Sequence, residues 1–305
     1  MIKIRNLTVS FDQNAPVVDA VNLDIAQGQT TAVIGESGSG KSVSIAAILR
    51  ILPKEANVKG SITLAGMELL SLTDDELNKL RGKVLGYVPQ GGGNSLHPLM
   101  TVGAQVAEPI IFHQKEPRKK AFQTVLKWLD KVGLKPAQKM ALAFPHTLSG
   151  GMKQRALIAM GAAGGAKIIL ADEPTKGLDS KRVEQIAELF SDLEETTILC
   201  VTHDLRFAKS IADNICVMYE GQVVELTDAE SFFKEPKHPY SQMLLSALPE
   251  NGLNCPEIFT PPTEQREGCL FYHRCPKRND DCKNKIPMIS VGHCNVRCVQ
   301  YAVTS

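Results

Sequence analysis

The stretch Gly35 to Ser42, GESGSGKS, decides how the rest of the chain is read. It fits the phosphate-cradling pattern G-x-x-x-x-G-K-[ST], with Gly35, Gly40, Lys41 and Ser42 in the fixed places and Glu36, Ser37, Gly38 and Ser39 between them. TTAVI (Thr30 to Ile34) precedes it as a short β-branched run, and VSIAAILRIL (Val43 to Leu52) follows with apolar residues at helical spacing. Strand, glycine-rich turn and helix is the context this pattern needs. Successive N–H groups through Val43, together with the positive end of the helix dipole, then face one anion. Lys41 is expected to reach β- and γ-phosphates, and the Ser42 hydroxyl to hold Mg²⁺. The chain is therefore expected to bind a nucleoside triphosphate.

Composition sets the outer limits. With 305 residues, 43% hydrophobic and 22% charged, the chain can bury a sizeable core, as two domains or as one large domain with an appendage. A net charge of +1 argues against wrapping nucleic acid or lying on an anionic bilayer. The longest weakly polar run, ALIAMGAAGGA (Ala156 to Ala166), is too short to cross a membrane, and no basic-then-apolar leader opens the sequence. The expectation is a cytoplasmic protein that reaches a membrane through a partner. Of eight cysteines, Cys200 and Cys216 sit in apolar, strand-like runs as small core residues. Cys255, Cys269, Cys275, Cys282, Cys294 and Cys298 crowd the end of the chain, which in a cytosolic protein points to metal rather than disulfides.

IKIRNLTVSF (Ile2 to Phe11) and VNLDI (Val21 to Ile25) alternate as strands of an antiparallel layer. Phe11 is either a core aromatic or a ring that stacks on a base. SITLAG (Ser61 to Gly66) is a further strand, and Thr73 to Glu76 a capping box opening a short helix. VLGYVPQ (Val84 to Gln90) is a buried strand ending in glutamine, followed by a flexible junction, Gly91 to Asn94. From about 91 to 165 the pattern is helical, with two or three amphipathic segments including AFQTVLKWLDKVGL, in which Trp128 is a packing residue. LSGGMKQR (Leu148 to Arg155) then opens an Ala-rich helix, where Ser149, Gly150 and Gly151 can leave N–H groups exposed as a second anion-binding end. IILADEP (Ile168 to Pro174) ends in two adjacent carboxylates, Asp172 and Glu173. TILCVTHD (Thr197 to Asp204) is another buried strand, and ICVMYEGQVVEL (Ile215 to Leu226) a hairpin turning at Glu220-Gly221. Strands alternating with helical stretches predict an α/β fold with a mostly parallel sheet. Past Pro249 the composition shifts to Pro, Cys and charge, so a boundary is placed near 250, dividing 1–250 from 251–305.

A phosphate loop alone fits kinases, GTPases and many ATPases. Gln90, LSGGMKQR, ADEP, GLD with Asp179, and His203 follow it in order, each at a strand end or helix start. In that order and spacing the chain, from about residue 2 to 235, resembles the nucleotide-binding subunits of ABC transporters. The resemblance implies a P-loop NTPase core carrying an antiparallel β layer, an α-helical subdomain and a small Cys-rich extension. It also implies roles. Asp172 holds Mg²⁺ through water, Glu173 is the general base, Gln90 touches Mg²⁺ or the attacking water, His203 holds the γ-phosphate, and Phe11 stacks on adenine. Ser149, Gly150, Gly151 and Asp179 serve the ATP of a facing subunit, so each composite site is half supplied by this chain. Two departures stand out. No acidic residue follows Gln90, and Lys176-Gly177 replaces small uncharged residues before Leu178.

The tail narrows the resemblance. EPKHPYSQMLL, with His238-Pro239-Tyr240, and GCLFYHRCPKRNDDCKNKIP resemble the C-terminal extension of importers for oligopeptides, dipeptides and nickel. Cys269, Cys275, Cys282 and Cys298 run as C-x5-C-x6-C-x15-C; four thiolates suit a [4Fe–4S] cluster or zinc, or else remain reduced and unliganded, with Cys294 an alternative to Cys298. The implied partners are a second, similar ATPase in a heterodimer, two integral membrane permease subunits and, indirectly, an extracytoplasmic substrate-binding protein, with this chain peripheral on the cytoplasmic side. The alternatives are a soluble ABC-type ATPase of DNA repair or translation, against which the single cassette and missing heptads and basic stripe count, and a redox-regulated ATPase.

Overall fold

The computed structural model describes residues 1–11, 15–91, 95–193, 195–248 and 267–302. TTAVI, IILAD and TILCVT are buried at every position because helices or a second layer cover both faces of the sheet they build. They form β3 (Thr30–Ile34), β7 (Ile168–Asp172) and β8 (Thr197–Thr202), which with β6 (Leu85–Val88) and β9 (Asn214–Tyr219) make a parallel run ordered β9-β3-β8-β7-β6. The carboxyl ends of β3, β6, β7 and β8 carry the phosphate loop, Gln90, Asp172-Glu173 and His203, so all four predicted groups emerge at one edge, where open α/β sheets bind ligands.

The expected hairpin is present: β9 returns as β10 (Gln222–Asp228) through Glu220 and Gly221, both at positive φ (44° and 89°). Such a turn matches the right-handed twist of the strands. The antiparallel layer is β2 (Val18–Ile25), β1 (Ile2–Phe11), β4 (Ala56–Leu64) and β5 (Met67–Glu68), in that order. Its inward side chains Ile4, Val9 and Ile62 join Ile45 and Ile48 of helix α1 (Lys41–Leu49) and Leu170 and Leu199 of the sheet in one core. Helix α2 (Asp74–Leu80) opens with the predicted capping box, Thr73 and Glu76 each accepting the other's backbone N–H.

Four helices fill the predicted helical region: α3 (Val102–Gln114), α4 (Arg118–Lys131), α5 (Ala137–Leu142) and α6 (Gly150–Ala163). Sequence periodicity counted fewer because α5 is under two turns long and α3 is buried on more than one side, through Val102, Gln105, Val106, Ala107 and Ile110. In α4, Ala121, Val125 and Leu129 repeat every fourth residue and enter the core, with Trp128 partly buried beside them. Helices α7 (Ser180–Ser191) and α8 (Leu205–Ile211) close the same side of the sheet through Ile186, Phe190 and Phe207. No described helix is long and apolar enough to cross a membrane.

Beyond β10 lie α9 (Ala229–Lys234) and α10 (Pro239–Ser246). The boundary expected near 250, and Cys255, fall outside the described residues. From Glu267 onward the chain returns to the cassette: β11 (Ile289–Val291) and β12 (Cys294–Val296) pair antiparallel, and β12 also pairs with β10. Among the described residues the sheet thereby grows to eight strands. Leu270, Phe271 and Cys275 enter the same core as Tyr219, Phe232 and Tyr240.

Candidate nucleotide site

Between β3 and α1 the backbone reverses through Gly35, Gly38 and Gly40, all at positive φ (151°, 84° and 91°). Gly35 and Gly40 have no room for a side chain. A Cβ on Gly35 would lie 2.1 Å from the Met218 carbonyl of β9, and one on Gly40 2.5 Å from that of Val17. Gly40 is the N-cap of α1 and supplies no side-chain cap, which leaves the first N–H groups of the helix to an anion. The β9–β10 turn braces the loop from outside, its Gly221 N–H donating to the Ser39 carbonyl at 3.1 Å.

Lys41 is buried and folded back on its own loop. Its Nζ donates to the carbonyls of Gly35 and Glu36, both at 2.8 Å, and to Ser39 Oγ at 3.3 Å. Burial holds the Lys41 ammonium below its ordinary pKa, while Glu173, Asp172 and Glu36 pull it back up. Across the loop, Ser42 Oγ donates to Asp172 Oδ1 at 2.7 Å. Burial pushes the Asp172 carboxyl up, against the Ser42 hydrogen bond, and repulsion from Glu173 adds to it. Two buried carboxylates and a hydroxyl in contact with one of them are hard oxygen donors, the set that Mg²⁺ prefers. These residues fit that ion.

Glu173 follows β7 directly and adopts φ 50°, a left-handed conformation uncommon for a residue with a side chain. Its backbone is pinned from both sides, the N–H donating to Val201 O at 2.9 Å and the carbonyl accepting from Lys176 N at 3.1 Å. The side chain is 7% exposed, and Nδ1 of His203, itself 56% exposed, comes within 2.7 Å of its Oε2. That approach is an ion-pair contact rather than an aligned hydrogen bond, so the buried oxygen accepts no hydrogen bond. A buried carboxylate oxygen that accepts no hydrogen bond beside a phosphate cradle is placed to take a proton.

A pocket of about 200 Å³ brings Ser37, Gly38, Gly40, Lys41, Ser42 and Val43 together with Gln90, Glu173 and Val17. Val17 is the residue sequence reasoning missed; it lies just before β2, outside every motif, where an isolated valine gives no signal. Phe11 does not line this pocket. It stands at the end of β1 opposite Ala56, partly buried against the core. Gly91 is at positive φ (79°), as expected of a junction, while Gly92, Gly93 and Asn94 lie outside the described residues.

Ser149, Gly150 and Gly151 lie apart from this pocket. Ser149 caps α6, accepting from Met152 N at 3.4 Å; Gly150 is open on its Cβ side, whereas Gly151 is buried against Leu178. Asp179 caps α7 and pairs with Arg182 at 2.8 Å. A larger groove of about 850 Å³ runs between β6 and α3, lined by Tyr87, Pro89, Phe112 and Met160 among others, and holds none of the predicted phosphate-loop residues.

The tail cysteines need correction. Among the described residues no three His, Cys, Asp or Glu side chains are grouped to hold a metal ion, so neither the cluster nor the zinc expectation finds a formed site. The thiols of the described tail cysteines are free. Cys269, Cys275 and Cys298 are nonetheless raised, first by burial and further by one another and by Cys282, which puts the four within electrostatic reach; Cys269 is pushed up to about 12. Cys294 is not the stand-in for Cys298. It faces Glu225, 3.7 Å away, and burial pushes its thiol up to about 12.

Against known proteins, the ABC transporter family matches residues 18–176, and the oligopeptide/dipeptide transporter C-terminal region matches residues 224–282. The oligopeptide transport ATP-binding protein AppD of Bacillus subtilis (strain 168) is 36% identical over 317 residues, covering 99% of this chain and 97% of AppD. The dipeptide transport ATP-binding protein DppD of Escherichia coli (strain K12) is 36% identical over 304 residues, covering 95% and 93%. Among solved structures, the ATP-binding cassette MJ0796 in a dimeric, post-hydrolysis state with ADP and Pi matches with a TM-score of 0.69 and 32% identity, over 75% of this chain and 99% of that one.

Proposed function

The chain belongs to the ABC transporter family, and from that premise we propose that it is the ATP-binding subunit of a peptide importer, hydrolysing ATP to drive uptake through partner membrane subunits. The single observation that carries the mechanism is the buried Glu173 carboxylate at the rim of the phosphate pocket, its Oε2 accepting no hydrogen bond and facing His203 at 2.7 Å. In this reading Lys41 leaves the Gly35 and Glu36 carbonyls for the β- and γ-phosphates, and the loop N–H groups hold the remaining phosphate oxygens. Ser42 and Asp172, with Gln90, would hold Mg²⁺, which supplies charge neutralisation on the phosphates. Glu173 takes a proton from water as the water oxygen attacks the γ-phosphorus, and the bond to the ADP oxygen breaks in line. His203, exposed and next to Glu173, holds the γ-phosphate. Phe11 at the end of β1 stacks on adenine.

Ser149, Gly150, Gly151 and Asp179 stand outside this chain's pocket, which supports their service to the ATP of a second cassette. ATP then favours the closed dimer over the open one. We propose a similar but non-identical subunit as that second cassette, and two permeases whose cytoplasmic segments seat in the groove between β6 and α3. Phe112, 76% exposed there, offers apolar surface, and Pro89 connects the groove wall directly to Gln90. The complex would sit on the cytoplasmic side of the membrane and receive its cargo from an extracytoplasmic binding protein. The relatives above are named for oligopeptides and dipeptides, which favours peptide over nickel and over DNA repair or translation. For the tail, Cys269, Cys275, Cys282 and Cys298 would hold a [4Fe–4S] cluster, whose ligands are spread over four irons and need not converge on one.

The test is Glu173→Gln in the chain with its partner cassette. With saturating Mg·ATP the variant should form a stable ATP-bound dimer and turn over about 10²- to 10⁴-fold more slowly. Turnover near wild type would remove Glu173 as the base.

A further inference from the structure

Glu36 occupies the second position of the phosphate loop, a place the G-x-x-x-x-G-K-[ST] pattern leaves open to any residue. Here it is held from three directions. Its carbonyl accepts from Lys41 Nζ at 2.8 Å, its N–H donates to the Tyr240 hydroxyl at 2.9 Å, and its carboxylate accepts two parallel bonds of 2.8 Å each from the Arg274 guanidinium. The last two restraints come from the C-terminal region, Arg274 from 238 residues away and directly before Cys275.

We propose that Arg274 is a positioning residue for nucleotide binding, through which the Cys-rich extension fixes the phosphate loop. The proposal rests on the reading of that loop as the ATP site. Arg274 is itself oriented, its guanidinium lying 5.7 Å from the Tyr219 ring and 5.6 Å from that of Phe271. Both rings pack on Tyr240, so the arginine and the hydroxyl that grip Glu36 stand on one aromatic cluster. A fork-to-fork pair fixes direction as well as distance, which a lysine at the same place could not do. The pair is partly open to water, with side-chain exposures of 22% and 43%, and ion pairs of that kind add little to global stability. Its effect falls on geometry. Rotation of the Gly35–Glu36 segment would re-aim the two carbonyls that park Lys41 and tilt the N–H groups that meet the phosphates.

Mg·ATP affinity of the full-length chain, measured by calorimetry alongside KM and kcat, tests this. Arg274→Ala and Glu36→Gln should each weaken binding about tenfold, and the double variant should be no worse than either single, because both remove one interaction. The loss should appear in Kd and KM with kcat at saturating ATP within about twofold, and Arg274→Lys should recover only part of it. Should Arg274→Ala fail to fold, Glu36→Gln and Arg274→Lys decide. Wild-type affinity in both of those, or losses that multiply in the double variant, would overturn the proposal. A wild-type chain with no affinity for Mg·ATP would overturn the site reading with it, which separates the two failures.

Discussion

Mild acid should destabilise this protein through one residue, His238, and by a calculable amount. The imidazole is 1% exposed, caps α10 by accepting the Tyr240 N–H at Nδ1 (3.1 Å), and lies 6.0 Å from the Phe271 ring. Burial, opposed by a hydrogen bond to the Arg297 backbone and aided by the Arg297 charge, lowers its pKa to about 4. An unfolded chain takes up that proton near 6.5, so between about pH 6.5 and 4 the unfolded state binds more protons and stability rises with pH. The contribution is complete above 6.5 and is lost as pH falls toward 4. Linkage between those two values gives about 2 kcal/mol between pH 7.5 and pH 5. Denaturant unfolding of wild type and His238→Asn at both pH values isolates the term, because every other group titrates in both proteins. Asn can still cap the helix but carries no charge, so its disadvantage at pH 7.5 should shrink by about 2 kcal/mol at pH 5. An advantage of the histidine that is unchanged between the two pH values would refute the reasoning.

Other outcomes follow from the same geometry. Lys41→Ala should abolish measurable Mg·ATP binding, and retained affinity in an equilibrium titration would contradict the phosphate-loop assignment. Gly35→Ala should fold with its loop displaced, since the added carbon would lie 2.1 Å from the Met218 carbonyl; a loss of ATP affinity of about tenfold or more is expected, read by calorimetry. Anaerobic purification should yield a brown protein with iron and acid-labile sulfide, and a colourless preparation free of iron would remove the cluster.

Much of the fold was legible because its strongest signals are local. The mostly apolar runs of β3, β7 and β8, the capping box before α2 and the Glu220-Gly221 turn each follow from a few adjacent residues, and the structure places them as read. The phosphate pocket was legible for the same reason: Lys41, Ser42, Gln90 and Glu173 stand at strand ends or a helix start, and a parallel sheet brings those ends together. What escaped depends on distant partners. Strand β4 begins at Ala56, five residues ahead of the run that reads as a strand, because Asn57, Lys59 and Gly60 look polar until β1 lies beside them. Strands β11 and β12 are three residues each, too short for alternation to register. Spacing of cysteines along the chain, finally, gave no measure of their separation in space.

The way β12 lies along β10 also says something about how this protein can be divided. Glu225 and Leu226 register with Val296 and Asn295, the Arg297 N–H donates to Val224 O at 2.8 Å, and its side chain donates to the Val223 and Ile286 carbonyls. A cassette cut short at Leu248 would not be a smaller edition of this molecule. It would bare a hydrogen-bonding rim and the wholly buried carboxylate of Glu225, and such a rim invites the nearest free strand to dock there. The cysteine-bearing segment is thus a selvedge woven into the sheet, replacing the long margin of β10 with the three residues of β11.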